Sequence, residues 1–195
     1  VSPGLALRLG GSALAADRSG LGIIASDVRD ELDEVITDGE FTVIGGLFDF
    51  EISGLNPASR VARVVLPLSV TVPTGAVYRK VDAEQWYDFV EGADDAIHTA
   101  FRTSGLCPSV DSEDWQAGLV VGTSCVRLTL SDGGANDADA AVNGVIRDPG
   151  GIAVATEAPA SPGIPSDKAN SGAPGWGFLV MLLLGVAGRR ALRRK

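Results

Sequence analysis

The chain is poor in the residues that carry chemistry. Its 195 residues include one histidine, His98, and two cysteines, Cys107 and Cys125. Two thiols alone do not make a zinc site, which takes four ligands. No Gly-x-Ser-x-Gly elbow, P-loop, dinucleotide-binding fingerprint or His-Glu-x-x-His occurs. A Ser-His-Asp triad would have to use His98, and its setting in "DDAIHTAF" reads better as a surface or half-buried structural histidine. The carboxylate pairs Asp49/Glu51 and Asp94/Asp95 are the remaining acid–base candidates. Asp49 and Glu51 alternate with Phe48, Phe50 and Ile52, which points to the solvent face of a strand. Trp86, Tyr87, Phe89 and Trp115 could line a carbohydrate platform, but aromatic residues more often serve the core. The expectation is a non-catalytic protein.

Acid is in excess, except at the very end. There are 16 Lys and Arg against 25 Asp and Glu. Five of the basic residues (Arg189, Arg190, Arg193, Arg194 and Lys195) fall in the last seven positions, and no acid follows Asp167. Residues 1–172 therefore hold 11 basic and 25 acidic residues. A body this acidic repels nucleic acid, so no nucleic-acid partner is expected. The charge suits an exported protein or one that gathers cations. The start shows no signal peptide: Arg8 interrupts the apolar run, and "LALRLG" alternates like a half-buried strand. The chain is expected to be the C-terminal part of a longer protein, or to lack its start, with the signal peptide in the missing part.

Along the body, expected to span 1–152, short strands alternate with Gly- and Pro-containing turns. "LFDFEISGL" and "CVRLTLSDGG" have a clear period of two, the second setting Val126, Leu128 and Leu130 against Arg127 and Thr129. "VARVVLPLSVTV" is β-branched, with Pro67 marking an edge or bulge. "AVYRKV" and "AGLVVG" are further candidates, and "DFVEGADDAIHTAFRTSG" suits either strand–turn–strand or a short helix. "ASDVRDELDEVITDG" reads as a helix capped at Ser26, with Val28, Leu32, Val35 and Ile36 on one face and a solvated acidic face opposite. The fold class expected is mainly β, an antiparallel sandwich with a short helix, followed by one C-terminal transmembrane helix. Residues 153–172, rich in Ala, Pro and Ser, form the expected linker.

Cys107 and Cys125 have 17 residues between them, and a disulfide is their simplest use if the body folds outside the cytoplasm. "SDGGANDADAAVNGVIRDPGG" gathers Asp132, Asn136, Asp137, Asp139, Asn143 and Asp148 among small residues. Six such oxygen donors suit Ca²⁺ on a flexible loop. However, position 141 is Ala and no bidentate Glu closes the stretch, so it does not follow a calcium-loop motif. Turns in which Asp and Asn bond their own backbone are the other reading and the favoured one. No cofactor other than calcium comes into question.

The tail has three parts. Ser171, Gly172, Ala173, Pro174 and Gly175 are small or helix-breaking. Ala173 to Gly188 is a run of 16 uncharged residues. As a helix it would be about 24 Å long, a little short of the ~20 residues that usually span a bilayer. Trp176 stands where an interfacial aromatic is expected, and the basic cluster from Arg189 to Lys195 should stay cytoplasmic. Residues 173–195 thus read as a transmembrane sorting signal, with Ser171–Gly175 as a segment a membrane protease could unwind and cut. This tail resembles the C-terminal sorting signals of Gram-negative bacteria, above all the GlyGly-CTERM type. The resemblance implies processing by rhombosortase, a rhomboid-family intramembrane serine protease. The chain departs from that family in having Ala173-Pro174 where an adjacent glycine pair is usual.

Residues 5–153 resemble a second family. "FDFEISGL", "VVLPL", "AVYRK", "GLCP" and the run from Cys125 to Gly151 look like the choice-of-anchor U domain, which precedes C-terminal anchoring signals in bacterial surface proteins. The resemblance implies a surface-exposed, non-catalytic module and identifies no ligand. The partners expected are the membrane and a rhombosortase-like protease. The body should be periplasmic, held by its tail in the inner membrane, and then move to the cell surface or be secreted. The alternative is a calcium-dependent adhesion or ligand-binding module on a plain membrane anchor.

Overall fold

The computed structural model describes residues 1–156. The expected linker beyond that point, the cut region Ser171–Gly175 and the tail from Trp176 to Lys195 lie outside the described residues.

The described residues are mainly β, with every strand pair antiparallel. Among the described residues ten strands form in the order β1 (Ala6–Leu9), β2 (Gly22–Ile23), β3 (Phe41–Ser53), β4 (Val61–Pro67), β5 (Val77–Val81), β6 (Trp86–Asp88), β7 (Ala96–Ala100), β8 (Gln116–Ala117), β9 (Cys125–Ser131) and β10 (Val145–Ala155). A short helix, α1 (Gly11–Ala15), follows β1. One sheet has the order β1-β3-β10-β5-β6, with β2 also pairing β3; the other runs β4-β9-β7-β8.

Side-chain alternation places the core between the two sheets. Phe50 and Ile52 on β3 and Ile146 and Ile152 on β10 meet Val64 and Leu66 on β4 and Val126, Leu128 and Leu130 on β9, all essentially inaccessible. The architecture is that of two facing antiparallel sheets, as in a β-sandwich. Pro67 closes β4 at an edge of its sheet, as its missing N–H requires. Pro149 lies in a central strand, but β10 pairs with β5 only from Gly150 onward, so the proline faces a single ladder. β10 continues to Ala155, so Ala153, Val154 and Ala155 belong to a strand rather than to a linker.

Three sequence expectations are corrected. Residues 25–39 do not form a helix; Ala25–Asp27 make one 3-10 turn, and Arg29 then bridges Val35 across a tight loop. The Asp30 carboxylate accepts the N–H groups of Leu32 (2.8 Å) and Glu34 (2.9 Å), and Asp33 takes φ 64°. Short acidic side chains here compete for the backbone bonds a helix would use. Leu32 is accordingly 81% exposed while Val28 is buried, so the expected apolar face never assembles. "AGLVVG" is not a strand beyond Ala117: Gly118 and Gly122 take φ values of 75° and 86°, and Thr99 Oγ1 donates to Gly118 O and accepts the Val120 N–H. Asp49 is not on a solvent face. The outer side of β3 is covered by α1 and the loop after it, which form a second core of Ala13, Ile23, Val28, Leu47 and Val81.

Candidate functional site

Residues 132–144 connect β9 to β10, and their polar side chains hold the loop's own backbone. Asp132 accepts the N–H groups of Asn143 (3.1 Å) and Gly144 (3.1 Å). Asp137 accepts Gly133 N–H through Oδ2 (2.9 Å) and Arg147 N–H through Oδ1 (3.0 Å). Asp139 accepts from Ala141 N–H and from the Asn143 amide, both at 3.0 Å, and Asn143 Oδ1 accepts Val145 N–H at 2.9 Å. Burial raises the Asp137 pKa, and its bonds from Arg147 and Gly133 hold it back. Gly134 belongs to the same device, because a Cβ there would collide with Ser131 Oγ.

Asn136 is fully buried and ties this loop to the β6–β7 connection. Its carbonyl accepts Val90 N–H (2.9 Å), and its amide donates to Val90 O (2.8 Å) and to Asp95 Oδ1 (3.0 Å). Asp95 also accepts Ser131 Oγ–H at 2.6 Å. Five of the six expected oxygen donors are thus in one loop, but as acceptors or donors of internal bonds. The sixth, Asp148, is on β10 and faces the space between the sheets. No three His, Cys, Asp or Glu side chains converge in metal-holding fashion among the described residues.

Asp148 meets Lys80, on the neighbouring strand β5, in an ion pair whose two side chains are both 0% exposed. Tyr78, two residues before Lys80, is also buried. Apart from each other, Lys80 Nζ and the Asp148 carboxylate oxygens have no hydrogen-bond partner among the described residues, and the Tyr78 hydroxyl has none. Burial lowers the Lys80 pKa against the pull of Asp148, and burial raises that of Asp148 against the pull of Lys80. Asp95 acts electrostatically on both. The sequence singles out Asp95 only as half of an acid–base pair and gives Lys80 no role, although the two-residue spacing of Tyr78 and Lys80 in "AVYRKV" puts a lysine on the face of a core aromatic.

On the outer side of the same sheet lies a cleft of about 210 Å³, lined by Gly10, Ser12, Asp49, Glu51, Asp139 and Arg147 among others. Its charges are mutually occupied: Arg147 donates to Glu51 (3.0 Å) and lies 3.6 Å from Asp139. Asp49 Oδ2 accepts Ala13 N–H at 2.8 Å.

The second sheet carries the cysteines. Cys107 and Cys125 form a disulfide with a Cα–Cα distance of 5.7 Å. It fastens the loop after β7 to β9, where Trp115, Ala100 and Cys125 pack together. Trp115 donates its indole N–H to Ser109 O (2.9 Å), and Arg127 stacks over its ring at 5.2 Å. Trp86 donates to Ile36 O (2.8 Å), and Phe89 meets Tyr78 edge-on at 6.0 Å. These aromatics are packing residues. His98 pairs with Arg127 and Ala117 in the sheet, and no hydrogen bond links it to a serine or carboxylate among the described residues. Burial and then Arg127 lower its pKa. Comparison with protein-family models, curated proteins and solved structures finds no match.

Proposed function

We propose that this chain is the non-catalytic display and sorting region of an exported bacterial protein. The β-sandwich body stands away from the inner membrane on the Pro- and Ala-rich linker. The apolar segment after Ser171 holds the chain in the bilayer as a transmembrane helix, with Arg189 to Lys195 on the cytoplasmic side. An intramembrane protease of the rhombosortase kind cuts within Ser171–Gly175, and the body is released or passed to a surface anchor.

The observation that carries this reading is the order small, apolar, basic at the end of an otherwise acidic chain. The disulfide supports it, because such bonds persist in oxidising compartments. Intact mass of the exported protein tests it. The expected mature form ends between Ser171 and Gly175, and a mature form that still ends in Lys195 rejects processing.

A further inference from the structure

We propose that Lys80 and Asp148 join through their side chains in an amide bond, formed by the folded protein itself, that staples β5 to β10. Two lone charges in a sheet interior are costly unless hydrogen bonds satisfy their remaining donors and acceptors. Here neither side chain has any exposed surface, and beyond their contact with each other no hydrogen bond from a third group completes either one among the described residues. An amide removes both charges at once and leaves a single N–H and C=O.

The strand geometry brings the reacting atoms together. Lys80 lies opposite Gly150 in the β5–β10 ladder, and Asp148 is the diagonal neighbour, within reach of a long side chain. Gly150 clears the path: a Cβ there would stand 3.2 Å from Lys80 Cδ, 2.9 Å from Tyr78 Cε1 and 2.8 Å from Arg79 O. The lysine stem therefore runs along the bare backbone of β10 to the carboxyl group.

The environment supplies the required protonation states. Amide formation needs a neutral amine and a neutral carboxylic acid. Burial lowers the Lys80 pKa and raises that of Asp148, which favours the neutral pair from which the reaction starts, one proton passing from the Lys80 ammonium to the Asp148 carboxylate. Nζ then attacks Cγ and the C–N bond forms. A proton passes from nitrogen to the departing hydroxyl, the C–O bond breaks, and one water leaves. No electrons are gained or lost, and no co-reactant is needed. Holding the two groups in contact replaces an encounter by an effective concentration on the order of 10⁵ M or more, and exclusion of water favours condensation over hydrolysis.

Mass spectrometry of the full chain, folded, then reduced and denatured, tests the proposal. The expected mass is one water below that of the sequence. Lys-specific digestion should leave the bond after Lys80 uncut, with a branched peptide that links Lys80 to Asp148. Lys80→Met and Asp148→Ala should each restore the full mass. The full sequence mass in the wild-type protein, with free cleavage after Lys80, overturns the proposal whether or not the variants fold. A deficit of one water that maps elsewhere, such as a succinimide at Asp132-Gly133, also overturns it.

Discussion

Asp49 lies between β3 and α1, with its carboxylate on the Ala13 N–H. Gly10 is required beside it, because a Cβ there would overlap the carboxylate. Burial raises its pKa first, with the backbone bonds from Ala13 and Ser12 in opposition. The folded state then holds the Asp49 proton to higher pH than the unfolded chain does. Between the two pKa values the native state binds more protons, so stability falls as pH rises through that window. Asp49→Asn keeps an acceptor for Ala13 and has nothing to titrate. Relative to wild type, its melting temperature should rise as pH increases upward from about 4, the ordinary Asp range. A difference that stays flat with pH would show that Asp49 carries no such penalty. The same residue shows what a sequence hides. Its alternation with Phe48 and Phe50 correctly indicates a strand, but the cover over the opposite face comes from residues 11–36, whose path no periodicity reveals. Lys80 and Asp148 were hidden for a similar reason: their meeting depends on the register of strands that are distant in sequence.

Strands β3 and β9 were legible because each has one inward and one outward row, and Pro67 marked an edge correctly. The acidic stretch 25–39 was misread because helical spacing was weighed above the turn chemistry of Asp30 and Asp33. The disulfide was legible from the count of cysteines, but its task was not. Cys125 is a fully buried residue of β9, while Cys107 belongs to the long loop that also carries Trp115 over the sheet. Reduction frees that loop without removing a strand. Closing a loop of this length is worth about 3 kcal/mol in the chain-entropy account. Cys107→Ser combined with Cys125→Ala should therefore lower unfolding stability by about that amount, and the loop should become the first site of proteolytic nicking. Denaturant titration beside limited proteolysis measures both. A loss well below 1 kcal/mol would mean that Trp115 and its contacts hold the loop unaided.

At the scale of the whole molecule, charge sets the response to ions. Residues 1–156 carry 23 acids against 10 basic residues, so the folded body repels itself at low ionic strength. Screening should raise the melting temperature as sodium chloride is added, most steeply below about 0.1 M, where the Debye length is still long. Calcium separates this general effect from a specific site. A site needs six to eight oxygen ligands. In the β9–β10 connection the carboxylates of Asp132, Asp137 and Asp139 already accept backbone N–H groups, and Asp148 faces Lys80. Calcium bound there would draw on carboxylates that already shape the loop. At equal ionic strength calcium and magnesium should therefore shift the melting temperature alike, and chelation should change nothing. A rise confined to calcium would show that the loop rearranges around the ion and would favour a calcium-dependent adhesion module over a passive display domain.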